Sequence, residues 1–450
     1  MSDDWPTVPL GTLLTDIQPG FASGRHNSEG EGIPHFRPMN VSTEGRIERG
    51  VMKYVDPSVG RPDVRLAVGD ILFNNTNSPE LVGKTALFEG HDNPAFSNHM
   101  TRLRVDDSKL DAEYAALRLH HAWREGWFAA HCNNHVSQAS VGRDVLKQFE
   151  IELPPLDVQR VIAALGAALD ESKFSASTHL STARTGIERF HQAVLAAAWS
   201  GRLTADWRHR HPGVARVAIG TPPNSNSKTR AALESFAHEH LSDLPETWQW
   251  APLAAVSNSV LGKMLDRAKN RGELRPYLRN INVRWRGFDL NDVQQMRFEA
   301  GEEDRFGLLS GDVLVCEGGE PGRAAVWRAV DSDMRFQKAL HRVRCDTALL
   351  PEWLVTVLQA HAASGKLTDY FTGSGIAHLT GISLARVPIP LPPVEEQAEL
   401  ISVVDRLLAS AESIEDRLST VEHKVGRSSQ AVLAKAFRGD LAFSNTVRER

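Results

Sequence analysis

Twice in this chain a Leu-Pro-Pro-x-x-x-Gln segment opens a run of about forty residues with no proline and an apolar residue every three or four positions. The first begins Leu153-Pro154-Pro155-Leu156-Asp157-Val158-Gln159, the second Leu391-Pro392-Pro393-Val394-Glu395-Glu396-Gln397. In the first run the stripe falls at Ile162, Leu165, Leu169, Ala176, Leu180, Ala183, Ile187, Phe190 and Val194. In the second it falls at Leu400, Val403, Leu407, Ala411, Ile414, Leu418, Val421, Val425 and Val432. Such spacing is an a/d seam, and forty residues at 1.5 Å each make a helix of roughly 60 Å. That is longer than a compact domain usually encloses, so each seam needs a partner along its length. The two are expected to pair with each other, antiparallel if the halves are related by a pseudo-twofold axis. Asp157, Glu395 and Glu396 stand where carboxylates favour the helix dipole. Trp199-Ser200-Gly201 and Phe437-Arg438-Gly439 supply the stops.

The duplication extends upstream of each helix. Trp5 and Val8-Pro9-Leu10 are matched by Trp250 and Ala251-Pro252-Leu253. Ile33-Pro34-His35-Phe36-Arg37-Pro38-Met39-Asn40-Val41 is matched by Arg275-Pro276-Tyr277-Leu278-Arg279-Asn280-Ile281-Asn282-Val283. Gly69-Asp70-Ile71-Leu72-Phe73 is matched by Gly311-Asp312-Val313-Leu314-Val315. A period this long is a repeated domain plus helix, not a solenoid. Gly-Asp before an apolar run reads as a turn entering a strand. Met100–Val105 and 340–344 alternate as half-buried strands, and 110–123 and 351–363 read as short helices. Residues 74–79 and 317–322 are loops by composition. Residues 206–245, with Thr221-Pro222-Pro223-Asn224-Ser225-Asn226-Ser227, read as a linker, with a short helix from Arg230 to His240.

Composition narrows the function classes. The 450 residues allow two to four domains, and 41% hydrophobic with 24% charged side chains is ordinary for a globular protein. No apolar run reaches the ~20 residues a membrane span needs, and the acidic start lacks a signal peptide's features, so a cytoplasmic protein is expected. Cys132, Cys316 and Cys345 are too few and scattered for a disulfide framework or a zinc site. His120-His121, and His209 with His211, lack ligand partners at metal-site spacing. Net charge is −5. Residues 1–152 hold 15 basic and 21 acidic side chains, whereas 246–392 hold 18 and 17, with 14 Arg against 4 Lys. Arginine suits bidentate contact with phosphate or guanine.

Two variable α/β domains alternating with two long helices, each begun by Leu-Pro-Pro-x-x-x-Gln and ended by Ala-Val-Leu-Ala-x-Ala-aromatic-x-Gly-x-Leu, resemble the specificity subunit of a type I restriction-modification system. The likeness runs from Trp5 to about Leu441. Gly373-Ser374-Gly375-Ile376-Ala377-His378-Leu379 also resembles a segment of that family's recognition domains, although the first copy departs there. The resemblance implies an α+β chain with an internal pseudo-twofold repeat: target-recognition domains at 1–155 and 246–392, and long helices at 156–205 and 393–441 forming an antiparallel coiled-coil spacer. A linker at 206–245 and a tail at 442–450 complete it. It implies a non-catalytic subunit that reads a bipartite site on double-stranded DNA, one half per domain. Modification (methyltransferase) subunits dock on the helices and an ATP-driven restriction subunit joins them. S-adenosylmethionine, ATP and Mg belong to those partners, and this chain binds no cofactor or metal.

Reading base edges requires Arg, Lys, Asn, Gln, Ser or Thr on presented loops. The candidates in the first domain are Asn74, Asn75, Thr76, Asn77, Lys84, Asn98, His99, Arg102, Asn133, Asn134, Ser137 and Gln138. In the second they are Arg279, Asn280, Glu317, Arg323, Gln337, Lys338, His341, Arg342, Thr372 and Ser374. The loops behind the two Gly-Asp turns lead, because there the copies differ, as two distinct half-sites require. One rival is a duplicated protein-interaction scaffold with no DNA role. The other is a self-contained enzyme. Against it, Asp157 and Glu171 would lie about 21 Å apart along the helix, too far to share a metal, and no methylation motif, cofactor loop or Walker sequence occurs.

Overall fold

The computed structural model describes residues 5–58, 61–134, 138–219, 230, 234, 236, 241–266, 268–330, 333–373 and 375–441. It divides into two units. The first comprises Met1–Ser181 with Leu418–Arg450, the second Thr182–Arg417. Each long helix therefore passes from one unit to the other. They span Leu156–Trp199 and Val394–Phe437, 44 residues apiece. No described helix is long and apolar enough to cross a membrane.

The units repeat one internal plan of mixed α and β structure. In the first, a four-stranded antiparallel sheet has the order Leu14–Pro19, Met100–Val105, Ile71–Asn74, Thr85–Leu87. In the second the order is Ser257–Leu261, Leu340–Cys345, Val313–Cys316, Ala324–Val326. Beside each lies a three-stranded sheet holding one parallel pair, His35 with Ala95 in one case and Tyr277 with Arg335 in the other. A two-stranded ribbon closes each unit, Val8 opposite Ile151 and Ala251 opposite Ile389. With Pro9 equivalent to Pro252, the register matches Trp5 to Trp248 rather than to Trp250.

The Gly-Asp turns work as expected. Gly69 and Gly311 take φ of 88° and 95°, where a side chain would be strained. The aspartate that follows is buried and accepts from a backbone N–H three residues back, Ala67 in one copy and Leu309 in the other. Its two oxygens also take a forked arginine, Arg104 at 2.6 and 3.1 Å and Arg344 at 2.7 and 3.2 Å.

The motif glutamine has a role its sequence did not declare. Gln159 is fully buried. Its Oε1 accepts from Asp111 N at 2.8 Å, and its Nε2 donates to Lys109 O and Pro154 O at 3.0 and 2.8 Å. Gln397 does the same with Leu350 N, Ala348 O and Pro392 O, at 2.8, 2.8 and 3.0 Å. One amide thus ties the start of each long helix to the start of the domain helix, Ala112–Arg124 or Pro351–Ala363. It satisfies three backbone groups that burial would otherwise leave unpaired.

Against the same domain helix packs the aromatic that closes the opposite long helix. Phe437 packs on Tyr114 and His121 in the first unit, and Trp199 packs on His361 in the second, with ring centroids 4.3–5.7 Å apart. Within the first unit the long helices run in opposite senses: Gly166 and Asp170 line a cavity with Leu433 and Gln430, and Leu180 lines another with Val425 and Glu422. In the second unit Arg184 meets Glu415 at 3.7 Å, while Val194 and Ala198 share a core with Leu400, Val404 and Leu408.

Several expectations change. Thr76–Asn77, expected in a loop, is a strand paired with Ala139–Ser140, and Asn74 ends the buried strand before it. The first long helix stops at Trp199, and Ala205–Arg210, mostly inside the expected linker, forms a short helix. Most of Arg230–His240 lies outside the described residues. In the seam, Phe190, Ile414 and Val421 are 42%, 48% and 46% exposed, while Val404 and Leu408 take the buried places expected for Val403 and Leu407. Helical spacing sets the stripe, but burial follows where a neighbouring element covers the helix, and Val404 and Leu408 lie in the core of the second unit.

Candidate nucleic-acid interface

Three segments converge in each unit. The first is a single 3-10 turn, Pro38–Asn40 or Asn280–Asn282. The second follows the strand behind the Gly-Asp turn, and the third is the 97–99 or 337–339 loop. Backbone hydrogen bonds tie the second segment to the third and to the chain beyond in the same way, Asn75 N to His99 O and Val141 N to Asn75 O in the first unit, Glu317 N to Ala339 O and Leu379 N to Glu317 O in the second. Ser97 N and Gln337 N donate to Phe36 O and Leu278 O just ahead of the 3-10 turn. Two glycines press the third segment into place. A Cβ on Gly20 would stand 2.1 Å from Ser97 O, and one on Gly262 would stand 2.3 Å from the Gln337 carbonyl. Ala339 takes φ of 84°, a strained value for a residue with a side chain, so the 337–339 loop is held rather than relaxed.

In the first unit these segments enclose a concavity of about 570 Å³ lined by His26, Arg37, Pro38, Met39, Asn77, Leu81, Lys84, Ser97, Asn98 and His99. His26 Nε2 and His35 Nδ1 lie 3.1 Å apart. Burial, then the neighbouring His26, pushes His35 down to about 4, so it stays neutral. Arg37 has no carboxylate within ion-pair distance among the described residues, whereas its counterpart Arg279 is paired with Asp292 at 2.5 Å.

The expected contact residues separate by what their side chains already hold. Asn98, Asn133, Asn134, Gln138, Lys338 and Thr372 are exposed, and Asn77, His99, Glu317 and Gln337 are half-buried at the rim. Asn75 donates to Thr101 Oγ1 at 2.8 Å and accepts from Thr76 Oγ1 at 2.8 Å, so both are spent on each other and on the strand. Asn280 donates to Gly318 O at 3.3 Å. Five expectations are corrected by burial. Asn74 is fully enclosed and donates to Leu81 O, Lys84 donates to Val41 O, and Arg102 is paired with Asp16 at 2.6 Å. His341 bonds Leu379 O at 2.9 Å, and Arg342 donates to Asp304 O and Gly307 O. Arg323, paired with Glu320 and donating to Asn280 O at 3.0 Å, braces the 3-10 turn as Lys84 does in the other unit. Ser137 and Ser374 lie outside the described residues.

The type I restriction modification DNA specificity domain matches residues 43–179. Over 98% of this chain and 90% of its own length, the EcoKI type I restriction enzyme specificity subunit of Escherichia coli K12 is 23% identical. The EcoBI subunit of Escherichia coli is 25% identical over 98% and 86%. A solved chain from a study of complex assembly and conformational transition in a type I R-M system superposes with a TM-score of 0.72 at 19% identity, covering 98% of this chain and 99% of that one. The HsdS subunit of Thermoanaerobacter tengcongensis gives 0.57 at 19%, covering 98% of each. The chain is thus similar over nearly its whole length to type I restriction specificity subunits and shares the fold of a solved one.

The residues of this face missed by sequence reasoning are Gly20 and Gly262, His26, Arg37, Met39 and Ile281. The duplication itself held the signal for most of them. Gly20 and Gly262 stand 242 positions apart, as do Arg37 and Arg279, and Met39 and Ile281. Among the described residues no group of three His, Cys, Asp or Glu is arranged to hold a metal ion. His120 bonds Thr43 O and rests on Trp123, and His211 stacks on Trp207.

Proposed function

We propose that this chain reads a bipartite site on double-stranded DNA, one half-site per unit, as a non-catalytic subunit. The observation that carries this is the doubled three-segment face: backbone bonds and glycine contacts are the same in both copies, while the rim side chains differ. Asn77, Asn98 and His99 stand in one, and Glu317, Gln337 and Lys338 in the other. Equal frames with unequal hydrogen-bonding groups suit two half-sites of different sequence. The two long helices, as an antiparallel coiled-coil spacer within a pseudo-twofold repeat, set the gap. The recognition domains are 1–155 and 246–392, the helices 156–205 and 393–441.

Partner subunits complete the activity. Phe174 is 67% exposed on the first long helix, and Phe190, Ile414 and Val421 are also open. Two helices side by side leave their outer faces uncovered, and apolar groups there suit docking of modification subunits, with the restriction subunit joining them. S-adenosylmethionine, ATP and Mg belong to those subunits. The complex works in the cytoplasm of a bacterial or archaeal cell. Selection from random DNA by the chain with its modification subunits is expected to enrich two short motifs at a fixed gap. Enrichment of no gapped motif overturns the reading, and favours the scaffold alternative if protein partners still bind. Four residues inserted near Ala176 should change the gap and leave both half-sites intact.

A further inference from the structure

Met39 and Ile281 occupy the same place in the two units, the centre of the 3-10 turn, and they are 53% and 47% exposed. One exposed apolar side chain is unremarkable. Two at equivalent points, on turns fixed in the same way, are not. In the first copy buried Asn40 accepts from Arg37 N at 2.9 Å and donates to Glu48 O and Val51 O at 3.0 and 3.2 Å. In the second, buried Asn282 accepts from Arg279 N at 2.9 Å and donates to Asp289 O and Asp292 O at 2.9 and 3.0 Å. Lys84 and Arg323 hold the turns from beneath. The turn cannot fold its apolar tip inward. Met39 lines its concavity together with Pro38 and Leu81, and with the polar Asn77, Asn98 and His99 at the same rim.

Resting on the DNA-reading proposal above, we infer that Met39 and Ile281 are the apolar base contacts of their half-sites, each meeting the 5-methyl group of a thymine in the major groove. Apolar side chains distinguish thymine there because no other base carries that methyl. Each residue is only half exposed, its other half seated on the domain. It therefore offers a flat apolar edge to a groove, not the free-standing wedge that would unstack a base step. The polar residues beside it supply the hydrogen bonds that fix the neighbouring bases.

The test uses the full chain with its modification subunits and the half-sites found by selection. Met39→Ala is expected to weaken binding roughly ten-fold through the first half-site alone, and Ile281→Ala through the second alone, with the gap unchanged. Met39→Leu should restore most of the loss. Replacing one thymine of the half-site by deoxyuridine, which removes only the methyl, should weaken the native chain as much and the Met39→Ala chain no further. The inference is overturned by unchanged binding in both variants, by equal losses at both half-sites, by losses with no sensitivity to deoxyuridine, or by a half-site without an A·T pair. If the native chain selects no gapped motif, the DNA-reading proposal itself fails and this inference with it.

Discussion

At the tip of the turn that follows each 3-10 segment, the two units place opposite charges. The first has Glu44, which accepts from Arg124 at 2.7 Å and from Lys173 of the first long helix at 3.0 Å. The second has Arg286, which donates to Asp405 of the second long helix at 2.6 Å and to Thr356 and Gln359 of the domain helix, both at 2.9 Å. The domain supplies the anion in one case and the cation in the other. The entry of each long helix differs too. Unit two buries Glu396 against Trp248 Nε1 at 2.9 Å, Thr204 Oγ1 at 2.6 Å and Arg208, where unit one has Val158. Against these differences stand Gln159 and Gln397, identical in every partner. Where a side chain satisfies backbone groups, geometry dictates its identity. Where it pairs with another side chain, the pair can be inverted as a whole.

Removing the shared element should have the largest effect. Gln159→Ala and Gln397→Ala each strand three buried backbone groups, so each should lower the stability of its own unit by about 3 kcal/mol. Hydrogen exchange resolved along the chain reads the two losses separately. A tolerated substitution in either unit breaks the equivalence.

Acid should separate the units next. Burial pushes His35 down to about 4, burial with Arg124 nearby pushes His120 to about 3, and burial pushes His361 to about 4. All three are neutral when folded, while an unfolded histidine takes a proton below about 6.5. Their contribution is therefore full above 6.5 and shrinks as pH falls towards 4 and then 3. At pH 5 each neutral histidine costs at most about 2 kcal/mol. Unit one has two and unit two has one, so denaturation followed at pH 7 and pH 5 should show the first unit losing more. Equal losses would show that burial of these rings does not set the difference.

The charge locks should matter least. Glu44 lies half open to solvent, so its pairs are worth well under the nominal value, about 0.5–1 kcal/mol. Burial opposes its ionisation, but hydrogen bonds from Lys173 and Arg124 outweigh that and hold the carboxyl at about 2. Its stabilisation is thus present above about 4.5 and fades as pH falls towards 2. Lys173→Glu should be destabilising alone and partly rescued by Glu44→Lys, as a double-mutant cycle measures. A cycle with zero coupling would remove the lock from the comparison.

The frame was legible because it repeats. Gly69-Asp70 and Gly311-Asp312, the proline-glutamine openings and the aromatic-glycine stops each mark a turn or end whose backbone demands that residue. The use of Arg102, Arg342 and Lys84 was not legible, since a strand's polar residue looks the same whether it faces solvent or an internal carbonyl. The repeat did hold a clue: Arg102-Leu103-Arg104 and Arg342-Val343-Arg344 recur with the Gly-Asp aspartates that take the second arginine of each triplet. Phe190, Ile414 and Val421 misled for another reason. A heptad count fixes the spacing of a stripe and leaves open where along the helix a partner covers it.

The placement of Phe437 has a consequence in time. It packs on Tyr114 and His121, and Leu433 and Ala436 share that core. A ribosome adding roughly 5–20 residues per second needs on the order of 10–50 s to go from residue 181 to residue 437. During that interval the first unit exists without Phe437. Its nascent surface is apolar there, and the second unit, finished earlier relative to its own start, must be made while the first still waits for the strand of chain that seals it.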